Sequence, residues 1–155
     1  MGKTQIKIVK SSNRKTIQLI ADWYLNEWNI PGDKKIQKWK SFSGGSNQFQ
    51  TLLTRDGAPV TTGGLYNHVG LVDKEPKFSI YKSWLALVYT IPGKRQEGYG
   101  TLICNYIQEH AKKLGIKEIF LFTDTAERLY TRLGWNVLER ISVDERNIGV
   151  MKKEL

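Results

Sequence analysis

The stretch Ala86-Leu-Val-Tyr-Thr-Ile-Pro-Gly-Lys-Arg-Gln-Glu-Gly-Tyr-Gly-Thr101 decides how this chain is read. Its first half completes an almost unbroken apolar run over 84–91, the pattern of a strand buried on both faces. Pro92-Gly93 breaks the strand, and a short loop holding Arg95, Gly98 and Gly100 opens directly onto a helical pattern. The first turn of a helix has unpaired N–H groups and partial positive charge, so it attracts anions. Glycines there keep side chains from blocking the backbone, and Lys94 and Arg95 add charge. The spacing predicts a phosphate or pyrophosphate resting on residues 95–101. Two other phosphate signatures fail. Ile103 stands where the dinucleotide fingerprint needs its third glycine, and Gly93-Lys94 is followed by Arg95 where a P-loop needs Ser or Thr. An ordinary glycine-containing turn between strand and helix is the competing reading.

On either side of this stretch, strand and helix patterns alternate. Downstream, Leu102, Ile103, Tyr106, Ile107, Ala111 and Leu114 form the apolar stripe of a helix over about 98–114, with Gly115 as its C-cap. An apolar strand at 119–122, a short helix at 124–133 ending on Gly134, and a strand at 135–141 follow. A turn at 144–147 leads into a last strand at 148–152. Upstream, β-type runs at 49–54 and 60–66 flank Asp56-Gly57, a hairpin signal, and 67–77 reads as a polar connection. At the start, 5–9 alternates like a strand. Ser11, Ser12 and Asn13 offer caps to a helix in which Ile17, Ile20, Tyr24 and Trp28 recur at spacings of three and four. Pro31-Gly32 ends it. Asp33 opens a second helix with Ile36 and Trp39 inward and Lys34, Lys35, Lys38 and Lys40 around them, before a Ser/Gly loop at 41–46. The order β-α-α-β-β-β-α-β-α-β-β predicts a mixed α/β (α+β) sheet in a single domain over 1–155.

A second segment is Thr123-Asp-Thr-Ala-Glu-Arg-Leu-Tyr-Thr-Arg-Leu-Gly-Trp135. It reads as a strand end, a short helix, a glycine cap and an aromatic, with Tyr130 spaced from Ala126 and Leu133 as a core aromatic would be. Together the two segments resemble the GNAT superfamily of N-acetyltransferases. The family's R/Q-x-x-G-x-G/A cofactor loop appears as Arg95-Gln96-Glu97-Gly98-Tyr99-Gly100, preceded by Pro92. Its second signature appears as Ala126, Leu129-Tyr130 and Gly134-Trp135. The order of the motifs and the whole element order fit, so the resemblance covers the full chain. Two features depart from it. Thr123 occupies the nominal place of an Asn that often opens the second motif, and Phe120 and Phe122 stand where some members carry a glutamate base.

The resemblance implies the acyl-CoA N-acyltransferase fold, with acetyl-coenzyme A as co-substrate in a V between strands 84–91 and 119–122. The pyrophosphate would take backbone N–H groups of the loop formed by Arg95, Gln96, Glu97, Gly98, Tyr99, Gly100 and Thr101. The pantetheine would pair with the backbone of Val88, Tyr89 and Thr90 like an added strand. A backbone N–H there would polarise the thioester carbonyl. A primary amine would attack directly, through a tetrahedral intermediate, with Tyr130 as general acid to the departing thiolate. Asp124, Glu27, His68 and Glu75 are candidates for the base, and a water chain serves equally. No protein nucleophile is needed, so Cys104 reads as a small buried helix residue.

Composition limits the rest. Of 155 residues, 40% are hydrophobic and 25% charged, the balance of a folded domain. No apolar run approaches the roughly 20 residues of a membrane helix, and the start MGKTQIKIVK lacks a signal-peptide pattern. A cytoplasmic protein without a membrane partner is expected. A lone cysteine, Cys104, closes no internal disulfide and builds no Cys-rich site, and no metal is expected. Net charge is +9, and residues 1–40 hold nine Lys or Arg against three Asp or Glu. Such a surface gathers anions, and it also describes a solvated face. Trp23, Trp28 and Trp39 read first as core packing; if some face the cleft, aromatics beside basic charge suit an acidic or amphipathic acceptor better than a polycationic one. A small amine, a peptide N-terminus and a protein lysine all remain open. A basic nucleic-acid-binding module and a catalytically silent acyl-coenzyme A binding protein are the alternatives. No recognition motif supports the first, and the retained Tyr130 speaks against the second. A C-terminal edge strand would either pair across a homodimer or end the sheet.

Overall fold

The computed structural model describes residues 2–32 and 47–155. The helix expected from Asp33 and the loop over 41–46 lie outside the described residues, and with them Trp39 and the Lys34–Lys40 cluster.

Among the described residues, seven strands form one mixed sheet: β1 (Thr4–Ile8), β2 (Phe49–Arg55), β3 (Ala58–Tyr66), β4 (Trp84–Thr90), β5 (Glu118–Thr123), β6 (Asn136–Val143) and β7 (Arg146–Glu154). Their order is β1-β2-β3-β4-β5-β7-β6, and every neighbouring pair is antiparallel except β4–β5. A parallel pair cannot be closed by a hairpin. Helix α3 (Tyr99–Lys113) makes that crossover. Helix α1 (Arg14–Trp28) starts on Asn13, whose side chain accepts from the Thr16 N–H at 3.2 Å. The expected mixed α/β fold is the observed one.

The two long helices cover opposite faces of the sheet. Ile17, Ile20, Ala21 and Tyr24 of α1 join Trp84, Phe120 and Val150 in one core cluster. Ile103, Ile107 and Ala111 of α3 join Leu53, Leu65, Ile119 and Met151 in the other. The i, i+4 row Tyr99, Ile103, Ile107, Ala111 fills the buried face of α3. Leu102 and Leu114, expected in that stripe, are instead 45% and 41% exposed, and Cys104 turns inward.

Two other expectations are corrected. The connection between β3 and β4, expected to be polar over 67–77, contains helix α2 (Gly70–Lys74) and a 3-10 turn (Pro76–Ile80), which bury Leu71, Val72 and Phe78. Elements this short show no periodicity. The C-terminal strand β7 is interior, between β5 and β6, so β6 forms that edge of the sheet.

The sheet opens at its parallel pair. β4 and β5 are in register only at Trp84↔Phe120, with the Phe120 N–H donating to the Ser83 carbonyl at 3.0 Å. Beyond that point the strands diverge toward their C-terminal ends, where α3 and the short helix α4 (Glu127–Arg132) begin. The carboxyl ends of diverging parallel strands are where α/β sheets place ligand crevices.

Candidate active site

The opening is a cleft with two arms that meet at Trp28, Val88 and Tyr130. The first arm encloses ≈ 380 Å³ and runs along Val88, Tyr89 and Thr90 to the loop before α3. The second encloses ≈ 680 Å³ between Leu87, Phe122, Asp124, His68 and Arg146. Residues 84–91 were expected to be buried on both faces, yet Leu87 and Val88 are only half-buried because one side faces this cleft.

The loop matches the demands of an anion. Gly98 caps α3 with φ 88° and ψ 3°, offers no side-chain cap, and no acidic residue sits in the first turn. The N–H groups at the start of α3 therefore have no side-chain cap, and Gly98, Gly100 and Thr101 line the first arm. A Cβ on Gly98 would meet nothing within 4 Å, so the space beside it is open.

The expected ligands contribute unequally. Arg95, Gln96, Gly98, Gly100 and Thr101 line the first arm. The Arg95 guanidinium is engaged by the protein itself. Its Nε donates to the Thr90 carbonyl at 2.8 Å, its Nη2 donates to Glu27 Oε1 at 3.1 Å, and it lies over the Tyr89 ring at 5.4 Å. Arg95 thus braces the loop against α1 rather than presenting an unopposed charge. Glu97 is exposed and lines neither arm. The Tyr99 side chain is buried on the far face of α3, where its hydroxyl accepts from Arg55 Nη1 at 2.8 Å. Glu97 and Tyr99 have only backbone to offer. Tyr89 packs between Trp23 and Trp28, with ring centroids 5.3 and 6.0 Å away.

Tyr130 stands at the junction of the arms. The Thr123 hydroxyl oxygen accepts from the Ala126 N–H at 3.0 Å and so starts α4, which carries Tyr130. The Tyr130 ring is held edge-on against Trp135 at 6.0 Å. The Cys104 thiol lies beside its hydroxyl. Burial pushes Cys104 up to about 11, the Tyr130 contact working weakly against it. Burial, with Cys104 beside it, also raises Tyr130 above the ordinary phenol value, so it stays protonated throughout the neutral range.

The candidates for a base are scattered. Asp124 lines the second arm and pairs with Arg146 at 3.2 Å. His68 lines the same arm and bonds Asp73 at 2.9 Å. Glu27 lines the first arm, held by Arg95, and Glu75 lines neither. Among the described residues no group of three His, Cys, Asp or Glu side chains converges.

One feature of the site had no sequence signal. Leu87 has φ 58°, a left-handed conformation that costs a non-glycine residue about 1–2 kcal/mol. Thr62 pairs with Tyr89 and Gly64 with Ala86, so Leu87 and Val88 together oppose Gly63 in a β-bulge. Nothing in an apolar strand announces it. Gln50 of β2, buried in the same core, donates to the Tyr24 hydroxyl oxygen and to Thr62 Oγ1.

No curated protein matches the chain. Among solved structures it is similar to an aminoglycoside 6'-N-acetyltransferase complexed with coenzyme A, with TM-score 0.73, 15% identity, and 97% of this chain and 96% of that one covered. The aminoglycoside 6'-N-acetyltransferase from Enterococcus faecium gives 0.73 at 14% identity, with 97% and 96% covered. A ribosomal-protein alanine N-acetyltransferase from Escherichia coli gives 0.68 at 13%, with 98% and 94% covered. These likenesses show the fold. The Acetyltransferase (GNAT) family model matches residues 13–135, which include both the loop before α3 and Tyr130, and the chain belongs to that family.

Proposed function

We propose that the protein transfers the acetyl group of acetyl-coenzyme A to a primary amine. The observation that carries this reading is the cleft itself. A stretch of β4 without a partner in β5 leads from the uncapped start of α3 to a protonated phenol at the junction of the two arms. Acetyl-coenzyme A is here a substrate. The N–H groups from Gln96 to Thr101 would hold its pyrophosphate, and the backbone of Val88, Tyr89 and Thr90 its pantetheine amides. Gly98 and Gly100 keep the approach clear, while Arg95 fixes the loop. A β4 N–H at the bulge would hold the charge developing on the thioester oxygen. Tyr130 would hand its proton to the departing sulfur.

The acceptor enters from the second arm. Its described walls are largely apolar, and its carboxylate, Asp124, is already paired with Arg146. Among the described residues this arm lacks the array of carboxylates a polycation would need. An amine with an apolar body is therefore the better fit, in contrast to the aminoglycosides named for two of the fold neighbours.

Calorimetric titration with acetyl-coenzyme A tests the reading. Saturable one-to-one binding is expected, followed by amine-dependent release of free thiol across a panel of amines. Absence of binding would remove acetyl transfer and direct attention to nucleic acid. Binding without turnover on any amine would identify a silent acyl-coenzyme A binding protein.

A second expectation concerns Cys104, which lines the first arm with a thiol pushed up to about 11. Very little of such a thiol is ionised near neutrality. Incubation with acetyl-coenzyme A should leave no acetyl adduct on Cys104 by intact mass. Cys104→Ala should retain transfer within about threefold of wild type, since direct attack needs no covalent carrier.

A further inference from the structure

We propose that Tyr24 is a positioning residue for acetyl transfer, holding the bulge peptide of β4 so that the Val88 N–H faces the thioester carbonyl. The inference rests on the acetyltransferase reading and adds to it a residue outside both family motifs, on helix α1.

The geometry is a closed relay of buried groups. The Tyr24 hydroxyl donates to the Leu87 carbonyl at 2.7 Å. Gln50 Nε2 donates to the Tyr24 oxygen and to Thr62 Oγ1, both at 2.8 Å. The Thr62 hydroxyl donates to the Thr51 carbonyl at 2.6 Å, and the Tyr66 hydroxyl donates to Gln50 Oε1. Tyr24, Gln50, Thr62 and Tyr66 are at most 2% exposed. These donations run one way. Thr62 spends its proton on Thr51, so its oxygen accepts from Gln50. The Gln50 amide therefore points its nitrogen at Tyr24, and the phenol's own proton goes to Leu87. Burial and the neighbouring Tyr66 phenol push Tyr24 well above its ordinary value, so it remains a donor. Gly64 makes room for the relay: a Cβ there would lie 2.6 Å from both Gln50 Oε1 and the Tyr66 hydroxyl.

The relay ends where the strand is irregular. Neither Leu87 nor Val88 has a partner in the regular β3–β4 register. A peptide unit is planar and trans, so its C=O and N–H point in opposite directions. A phenol that fixes the Leu87 carbonyl therefore fixes the Val88 N–H as well, turned away from Tyr24. Val88 is shared by both arms of the cleft, where the acyl group must pass from sulfur to amine.

Tyr24→Phe removes one hydroxyl and keeps the ring. The expected result is a kcat about tenfold lower, equivalent to about 1.4 kcal/mol of barrier, with acetyl-coenzyme A affinity within about threefold of wild type. In 15N-labelled protein, acetyl-coenzyme A should move the Val88 amide proton downfield more than coenzyme A does, because only the thioester supplies the carbonyl. Tyr24→Phe should shrink that difference. Thr62→Val, one step back along the relay, should act in the same direction with smaller amplitude, and it serves if Tyr24→Phe does not fold. Wild-type kcat with an unchanged Val88 response would overturn the proposal. So would equal losses of kcat and cofactor affinity, which mark a packing defect. If wild-type protein shows no Val88 response because it binds no acetyl-coenzyme A, the acetyltransferase reading itself has failed.

Discussion

Tyr130→Phe is expected to lower kcat by about 10²-fold or more, the range typical of a lost general acid, with acetyl-coenzyme A affinity nearly unchanged. The split follows from what the hydroxyl touches. The ring of Tyr130 rests on Trp135, a contact phenylalanine retains, and the hydroxyl lies beside Cys104 rather than against the loop before α3. Cys104 shows how the site treats a thiol: burial pushes it up to about 11. A coenzyme A thiolate expelled into the same space meets the same desolvation and needs a proton more urgently than it would in water. The desolvation that raises Tyr130 also raises the leaving sulfur, so the phenol remains a useful donor despite its shifted pKa. The pH profile provides an independent check. Tyr130 lies above its ordinary value, so kcat should show no alkaline decline from this group. A wild-type kcat for Tyr130→Phe in thiol-release assays would take Tyr130 out of the chemistry.

Elements with a strong period or a punctuating residue could be read from sequence. The β2–β3 hairpin was marked by Asp56-Gly57, and both residues adopt positive φ, at 52° and 83°. Helix α3 was marked by Gly98 before it and Gly115 after it, and both glycines adopt positive φ. Packing was less legible. Leu102 has the same chemistry as Ile103, but the Tyr99–Ile103–Ile107–Ala111 row, with Cys104 beside it, is the buried one, and spacing alone does not rank overlapping rows. Charge was read one step too simply. Arg95 in a glycine loop suggested an anion ligand, whereas Glu27, 68 positions earlier, takes its Nη2. The Leu87 bulge depends on contacts from α1, β2 and β3 converging on one carbonyl. Tertiary convergence of that kind leaves no local pattern.

Gly98→Trp should raise the Kd for acetyl-coenzyme A by at least about 100-fold while leaving the fold intact. Charge-assisted hydrogen bonds to phosphate contribute about 1.5–3 kcal/mol each, so losing two is enough for that shift. Gly98 lines the first arm and a Cβ there meets no protein atom within 4 Å, so an indole at 98 has room to stand where the phosphate is expected. Gly98→Ala separates the two ways such a change acts. Alanine fits the space but must accept φ 88°, a strain of about 1–2 kcal/mol, so its affinity should fall by about tenfold at most. Thermal melts of both variants check that the loss lies in the cleft: they should share the small backbone penalty and differ in binding. Arg95→Ala is the discriminating companion. Glu27 already neutralises Arg95 and Thr90 holds it, so its removal should loosen the loop and weaken binding by only a few-fold. If Arg95→Ala instead proves as damaging as Gly98→Trp, the phosphate is held by a side-chain charge that leaves Glu27 on binding. The first turn of α3 would then be secondary.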